Sequence, residues 1–226
     1  RVVVLVVVAL SLAALVGRRR CVLFNDTTTE RVLGDAALVR VFTFHKDERY
    51  LLRDWLAYHC AVFGCRNICV VDHASTDATA LRILDEYRGR GVAVVPFDGP
   101  FSEKAAALTA AMRASANTAR FLVPIDVDEF VVSEKGTVLE AFRALSTTDR
   151  RKFKFHSRVA DCPDASSQHK RPALVESFSK RRATSMAKTF YHASDFVSTD
   201  QGNHFGRVRR DNATGQDAML SPRRFD

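Results

Sequence analysis

FLVPIDVDEF, residues 121–130, sets an apolar run against three carboxylates in four positions, Asp126, Asp128 and Glu129. Its first half has the near-continuous apolar character of a strand buried on both faces. Strands end at the surface and surfaces carry acids, so the stretch alone makes no site. Its neighbours decide the reading. LVRVFTF (38–44), NICVV (67–71), VAVVPF (92–97) and RFLVPI (120–125) are all strand-like runs.

Helical patterns fill the gaps between them. From Glu48, the residues Leu51, Leu52, Trp55, Tyr58, His59 and Val62 recur at helical spacing until Gly64 stops them. Asp77 caps a second helix, with Leu81, Leu84 and Tyr87 facing inward, and Gly89-Arg90-Gly91 ends it. EKAAALTAAMRASA (103–116) is alanine-rich and helical, and Thr137 opens another helix through Val138, Leu139, Phe142 and Leu145. Strand and helix alternate, which predicts an α/β fold: a mostly parallel sheet with helices on both faces. After about residue 156 the alternation fades, and SRVADCPDASSQHKRPA reads as an irregular connection.

Open parallel sheets bind ligands beyond the carboxyl ends of their strands. The first strand ends in His45-Lys46-Asp47-Glu48, the second in Asp72-His73-Ala74-Ser75-Thr76-Asp77, and the fourth in Asp126-Val127-Asp128-Glu129. Three strands thus deliver carboxylates to one edge, where they repel one another unless a cation or ligand donor groups lie between them. Gly89-Arg90-Gly91 ends a helix, so a dinucleotide fingerprint and a P-loop are both absent. An EF-hand is excluded by Phe130 and Val131. Carboxylates two apart can share a hard cation, Mg²⁺ or Mn²⁺, whose open positions take phosphate oxygens. Such a metal neutralises a diphosphate leaving group. Trp55, Tyr58 and His59 read as core residues, and Ser75 and Thr76 as helix-capping residues.

The run KDERYLLRDWLAYHCAVFGCRNICVVDHASTD, followed by FLVPIDVDEF, resembles the glycosyltransferase family 2-like and family 92 proteins. The likeness covers about residues 38–132 and lies in the combination of motifs, with Asp47 where the family often has asparagine. It implies a GT-A fold and a nucleotide-sugar donor. It implies that Asp126 and Asp128 bind the metal and the donor diphosphate, and that Asp72 contacts the base or ribose. Lys46, Asp47, Glu48 and Asp77 would line the same donor pocket. Further on, AKTFYHASDFVSTDQGNHFGRV resembles the family's late lysine segment and its glycine-asparagine-histidine turn. That likeness makes His204 the candidate third metal ligand and Lys188 a diphosphate contact. An inverting transferase needs a carboxylate base for the acceptor hydroxyl. Asp200, Asp195 and Glu176 qualify by type and spacing does not separate them; Asp200 is carried as the candidate.

The chain has 226 residues, 46% of them hydrophobic, and a formal charge of +8, enough for one sizeable domain and too ordered in character for wholesale disorder. Its basic excess sits late, in KRRATSMAK, GRVRR and SPRRFD, and suits a phosphorylated ligand, nucleic acid or anionic lipid without choosing among them. Residues 1–17, in which VVVLVVVALSLAALV follows Arg1, are expected to form a membrane-anchoring helix whose first residues precede Arg1, with a cleaved signal as the alternative. A buried strand is disfavoured, because the run is too long for one. Residues 18–36 read as a short stem and 37–226 as the GT-A domain. The cluster Arg18-Arg19-Arg20 would hold its side in the cytoplasm, whereas sequons at Asn25 and Asn212 require a secretory lumen. A single-pass protein facing the Golgi or secretory lumen is expected. Five cysteines (21, 60, 65, 69 and 162) lack zinc-site spacing and fit one disulfide with thiols left over.

These readings lead to a metal-dependent, hexosyltransferase-like glycosyltransferase that takes a nucleotide-sugar donor and a glycan, protein or lipid acceptor, with no nucleic acid partner. A GT-A-like module that binds a nucleotide sugar or a partner without turnover is the alternative. Metal-dependent phosphoryl transfer or nuclease action is a more distant one.

Overall fold

The computed structural model describes residues 3–7, 37–133, 136–145, 152–160, 181–183 and 187–209. In chain order the first strands are β1 (Val3–Val7), β2 (Ala37–His45), β3 (Ile68–Asp72), β4 (Ala93–Pro96), β5 (Ala119–Pro124) and β6 (Glu129–Ser133). The later strands are β7 (Lys152–Lys154), β8 (His156–Ala160), β9 (Arg181–Ala183), β10 (Thr189–His192), β11 (Phe196–Thr199) and β12 (Gly206–Val208). The helices are α1 (Leu52–Phe63), α2 (Ala78–Gly89), α3 (Lys104–Ala114) and α4 (Val138–Arg143).

The central sheet runs β4-β3-β2-β5-β10-β7. Strands β2 to β5 are mutually parallel, β10 is antiparallel to β5, and β7 is antiparallel to β10. This is the mixed α/β, mostly parallel sheet that the alternation of apolar runs predicts. The helices cover both faces, and β2 shows how. Val39 and Val41 join Leu52, Trp55, Leu56, Ile83, Leu84 and Phe142 in one core, while Phe42 and Phe44 join Leu108, Met112 and Tyr191 in the other. Alternate side chains of a strand point to opposite faces, so a strand apolar at nearly every position feeds two cores.

Local chemistry sets the helix ends. Glu48 Oε1 accepts the Tyr50 and Leu51 N–H groups ahead of α1, and Gly64, at φ +85°, turns the chain out of it. A Cys60–Cys65 disulfide closes the same corner, and Cys69 is free and buried. Cys21 and Cys162 lie outside the described residues. Asp77 caps α2 by accepting from Thr79 and Ala80, and Thr137 with Glu140 forms a capping box on α4. On α2 the inward face is Ile83, Leu84 and Tyr87; Leu81, expected inside, is 38% exposed. Ile83 is the better spaced partner for Ala80 and Leu84 on one helical face, which leaves Leu81 on the flank.

A second sheet, β6-β1-β8-β9, lies beyond the central one, and β11 pairs with β12. Here the structure departs from the expected N-terminal helix. Val3–Val7 is a strand, antiparallel to β6 and parallel to β8. Four valines and a leucine favour the extended conformation when neighbouring edges are free to pair, and the length objection fails because the strand takes only five residues of the run. Residues 8–17 lie outside the described residues, among which no helix is long and apolar enough to cross a membrane.

Candidate active site

The carboxyl ends of β2, β3 and β5 come together at one edge of the sheet, and each expected residue there has a definite place. Asp47 follows β2 in a left-handed turn, φ +51°. Its Oδ1 accepts the Thr76 and Asp77 N–H groups at 2.6 and 2.7 Å, and its own N–H donates to Ser75 Oγ. Asp47 therefore stitches the β2 end to the β3 end. Ser75 serves that stitch and stands 3.3 Å from His45 Nε2; it is not a cap. Asp77 caps α2, with Arg49 3.6 Å from its other oxygen. Glu48 holds the start of α1 and Lys46 is exposed. Four residues expected to line a donor pocket thus divide into three that fix backbone and one that is free at the surface.

Asp72 differs. It is buried, with Oδ1 3.5 Å from His45 Nε2 and no hydrogen bond to that oxygen. Beside it His73 Nε2 donates to the Gly99 carbonyl, its Nδ1 is buried without a partner, and its ring lies among Phe44, Phe97 and Phe101. Buried polar atoms without partners are uncommon and point to a missing ligand group.

The acidic turn after β5 is the densest part of the site. Asp126 is held from both sides: Lys104 Nζ donates to Oδ1 at 2.8 Å and Lys188 Nζ to Oδ2 at 2.5 Å. Lys188 also donates to the Gly202 carbonyl at 2.7 Å and stands 3.3 Å from Glu129 Oε1. Glu129 reaches back, its Oε2 accepting the Asp126 N–H at 2.8 Å while its own N–H donates to the Asp126 carbonyl. Both lysines and Glu129 are buried. Burial alone would raise the Asp126 pKa, but the two ammonium groups outweigh it and hold the carboxyl below its usual value. Burial and then the Asp126 charge push Asp128 up to about 6 and Glu129 up to about 8. Lys188 is raised despite burial, because Glu129 and Asp126 favour its charged form. Crowded carboxylates at low dielectric resist full ionisation until cations balance them.

Asp126, Asp128 and Glu129 bring carboxylate oxygens within 4.8 Å of one another, hard donors of the kind Mg²⁺ and Mn²⁺ take. The residues fit such an ion, with Asp128 the carboxylate that neither lysine bonds. Glu129, not His204, completes this group. His204 sits in the turn whose Gly202 carbonyl takes Lys188, with Nδ1 3.2 Å from the Ala187 carbonyl. Asp200 ties that turn, accepting the Phe205 N–H at 2.8 Å and the Gly202 N–H at 3.3 Å. Asp195 lies elsewhere: β10 runs antiparallel to β5, with His192 opposite Phe121, so the residues after it sit at the amino end of β5. Glu176 is outside the described residues. Sequence reasoning missed Lys104, which opens an alanine-rich helix and gives no periodic signal beyond its charge.

An open α/β sheet with carboxylates and lysines gathered at its carboxyl edge has them where such sheets take ligands, and the three carboxylates are hard donors suited to a cation. Residues 41–212 match glycosyltransferase family 92, and the chain belongs to that family. No curated protein matches the chain. Among solved structures it is similar to S. aureus TarS 1-349, at 19% identity and a TM-score of 0.34 over 40% of this chain and 27% of that one. The same TarS fragment in complex with UDP gives 20% identity and a TM-score of 0.31, again over 40% of this chain and 27% of that one. This chain therefore spans about a quarter of the length of the TarS fragment it matches.

Proposed function

We propose that this chain is the catalytic domain of a metal-dependent glycosyltransferase that moves a sugar, a hexose in the first instance, from a nucleotide-sugar donor to a glycan, protein or lipid acceptor. The observation that carries the reading is the convergence of Asp126, Asp128 and Glu129 with Lys104 and Lys188 beyond the end of β5. Family membership supports the reaction class. When bound, Mn²⁺ or Mg²⁺ supplies Lewis-acid neutralisation of the departing diphosphate. Asp128, Glu129 and Asp126 would hold the ion, with His204 a further ligand from the neighbouring turn. Lys188 and Lys104 add positive charge beside the same group and orient it.

Asp72 is the donor-recognition residue in this reading, because its buried Oδ1 lacks a hydrogen bond that a base or ribose donor would supply. Asp47, Glu48 and Asp77 act through the loop they hold, and exposed Lys46 contacts the donor from the rim. Asp200 is the proposed acceptor-side base. Its oxygens accept two backbone N–H groups, and a carboxylate offers about four lone-pair sites, so capacity remains. We also place the domain in a secretory lumen such as the Golgi, where the Cys60–Cys65 disulfide is at home.

A screen of nucleotide sugars tests the proposal, reading release of nucleoside diphosphate with and without Mn²⁺. Metal-dependent release from one donor, lost in Asp128→Asn, is expected. Release that ignores both the metal and Asp128 would sink the metal-site reading. If Asp72 holds base or ribose, Asp72→Ala raises the donor KM more than it lowers kcat.

A further inference from the structure

Three polar side chains on one face of α1 all meet the backbone of one strand. Trp55, Tyr58 and His59 stand at i, i+3 and i+4. The Trp55 Nε1–H donates to the Glu129 carbonyl at 2.9 Å, and the Tyr58 hydroxyl donates to the Val131 carbonyl at 2.8 Å. His59 Nδ1 lies 2.9 Å from the Trp55 carbonyl, so the ring proton belongs there and Nε2 accepts the Val131 N–H at 3.5 Å. Residues 129 and 131 are two apart, and their N–H and C=O groups lie along one edge of β6. The helix thus gives that edge the partners that another strand would otherwise supply. Trp55 and His59 are fully buried, so water cannot replace these bonds.

The bonded edge begins at an acid of the site. Glu129 is fixed at its carbonyl by Trp55, at its N–H by the Asp126 carbonyl and at its carboxylate by the Asp126 N–H. We propose that Trp55 and Tyr58 are positioning residues: by holding the Glu129–Val131 backbone from α1, they fix the turn that presents Asp126, Asp128 and Glu129 to a cation and a diphosphate. The inference rests on the functional reading above, and it explains why a helix apolar in spacing carries three hydrogen-bonding rings on its buried face.

The test compares Trp55→Phe and Tyr58→Phe with Ile83→Val, a core change on α2 away from the site. Hydrogen exchange over residues 126–131, Mn²⁺ titration followed by spin resonance, and donor KM and kcat are measured on the whole chain. For Trp55→Phe, faster exchange in that segment is expected, with Mn²⁺ binding weaker by about tenfold, the size of one buried hydrogen bond left unmade. Donor KM should rise more than kcat falls. Tyr58→Phe, which removes only a hydroxyl, shows the same pattern to a smaller degree, and Ile83→Val lowers the melting temperature without it. Unchanged exchange and Mn²⁺ affinity in both aromatic variants would overturn the proposal, as would the same losses in Ile83→Val. If the wild-type chain itself binds no Mn²⁺, the metal reading fails separately, and exchange together with donor KM decides the positioning role.

Discussion

Asp128 stands apart from its two acidic neighbours because neither Lys104 nor Lys188 pairs with it directly, and their charges offset its burial only in small part. Burial and the adjacent Asp126 lift its carboxyl from 3.8 to about 6. Between those values the folded chain keeps a proton that the unfolded chain has released, so this group's contribution to stability falls as pH rises through the window. The contribution is fully present below the unfolded value and gone above about 6. Asp128→Asn cannot titrate. Its melting temperature relative to wild type should therefore climb between about pH 4 and about pH 6 in metal-free buffer. A gap that stays constant across that range would mean Asp128 is ionised throughout. The same substitution should abolish Mn²⁺ binding at neutral pH while leaving the circular dichroism spectrum unchanged, since a partly exposed turn residue contributes little packing.

At the scale of elements, the sheet edge depends on one residue that the sequence presents as a ligand. Asp47 draws the β2 and β3 ends together through two charge-assisted bonds to Thr76 and Asp77. Asp47→Ala should lower stability by about 3–6 kcal/mol, two bonds to a charged group, measured by urea unfolding, with Asp47→Asn losing less. An Asp47→Ala variant as stable as wild type would return Asp47 to the donor pocket. The contrast shows which features were legible in advance. The four parallel strands and the helices α1 to α4 announce themselves by apolar period and caps, because burial imposes that pattern on every such element. The edge that gathers His45, Asp72 and Asp126 follows from parallel order alone. Side-chain roles within it do not: Asp47, Glu48 and Asp77 are indistinguishable from ligands by type, and only three-dimensional placement shows that one oxygen of each already serves backbone N–H groups. Lys104 was hidden for the opposite reason, since its partner Asp126 lies 22 positions away. The antiparallel half, β6 with β1 and β10 with β7, is built from short strands whose partners are distant in sequence, so periodicity offered no hold on it.

At the scale of the whole molecule, the compartment and the corner between α1 and β3 bear on one another. The Cys60–Cys65 disulfide closes a small loop next to Gly64, and Cys69 remains a buried thiol whose pKa burial pushes up to about 12. A thiol held that far from ionisation is a poor nucleophile, and Cys69 packs in the core on the opposite face of the sheet from Cys60. A loop this short restricts the unfolded chain modestly, so Cys60→Ala with Cys65→Ala should cost about 2 kcal/mol, read as a lower unfolding midpoint, with the parallel sheet intact. The disulfide persists only where the surroundings are oxidising. Expressed in a eukaryotic cell and recovered in intact microsomes, the domain should resist added protease until detergent is present, and thiol labelling after denaturation should leave Cys60 and Cys65 unmodified unless reductant is added first. Digestion without detergent, together with labelling of both cysteines, would place the domain on the reducing side of the membrane, as the Arg18-Arg19-Arg20 cluster argues. The acidic turn at Asp126–Glu129 would then have to find its sugar donor in the cytosol.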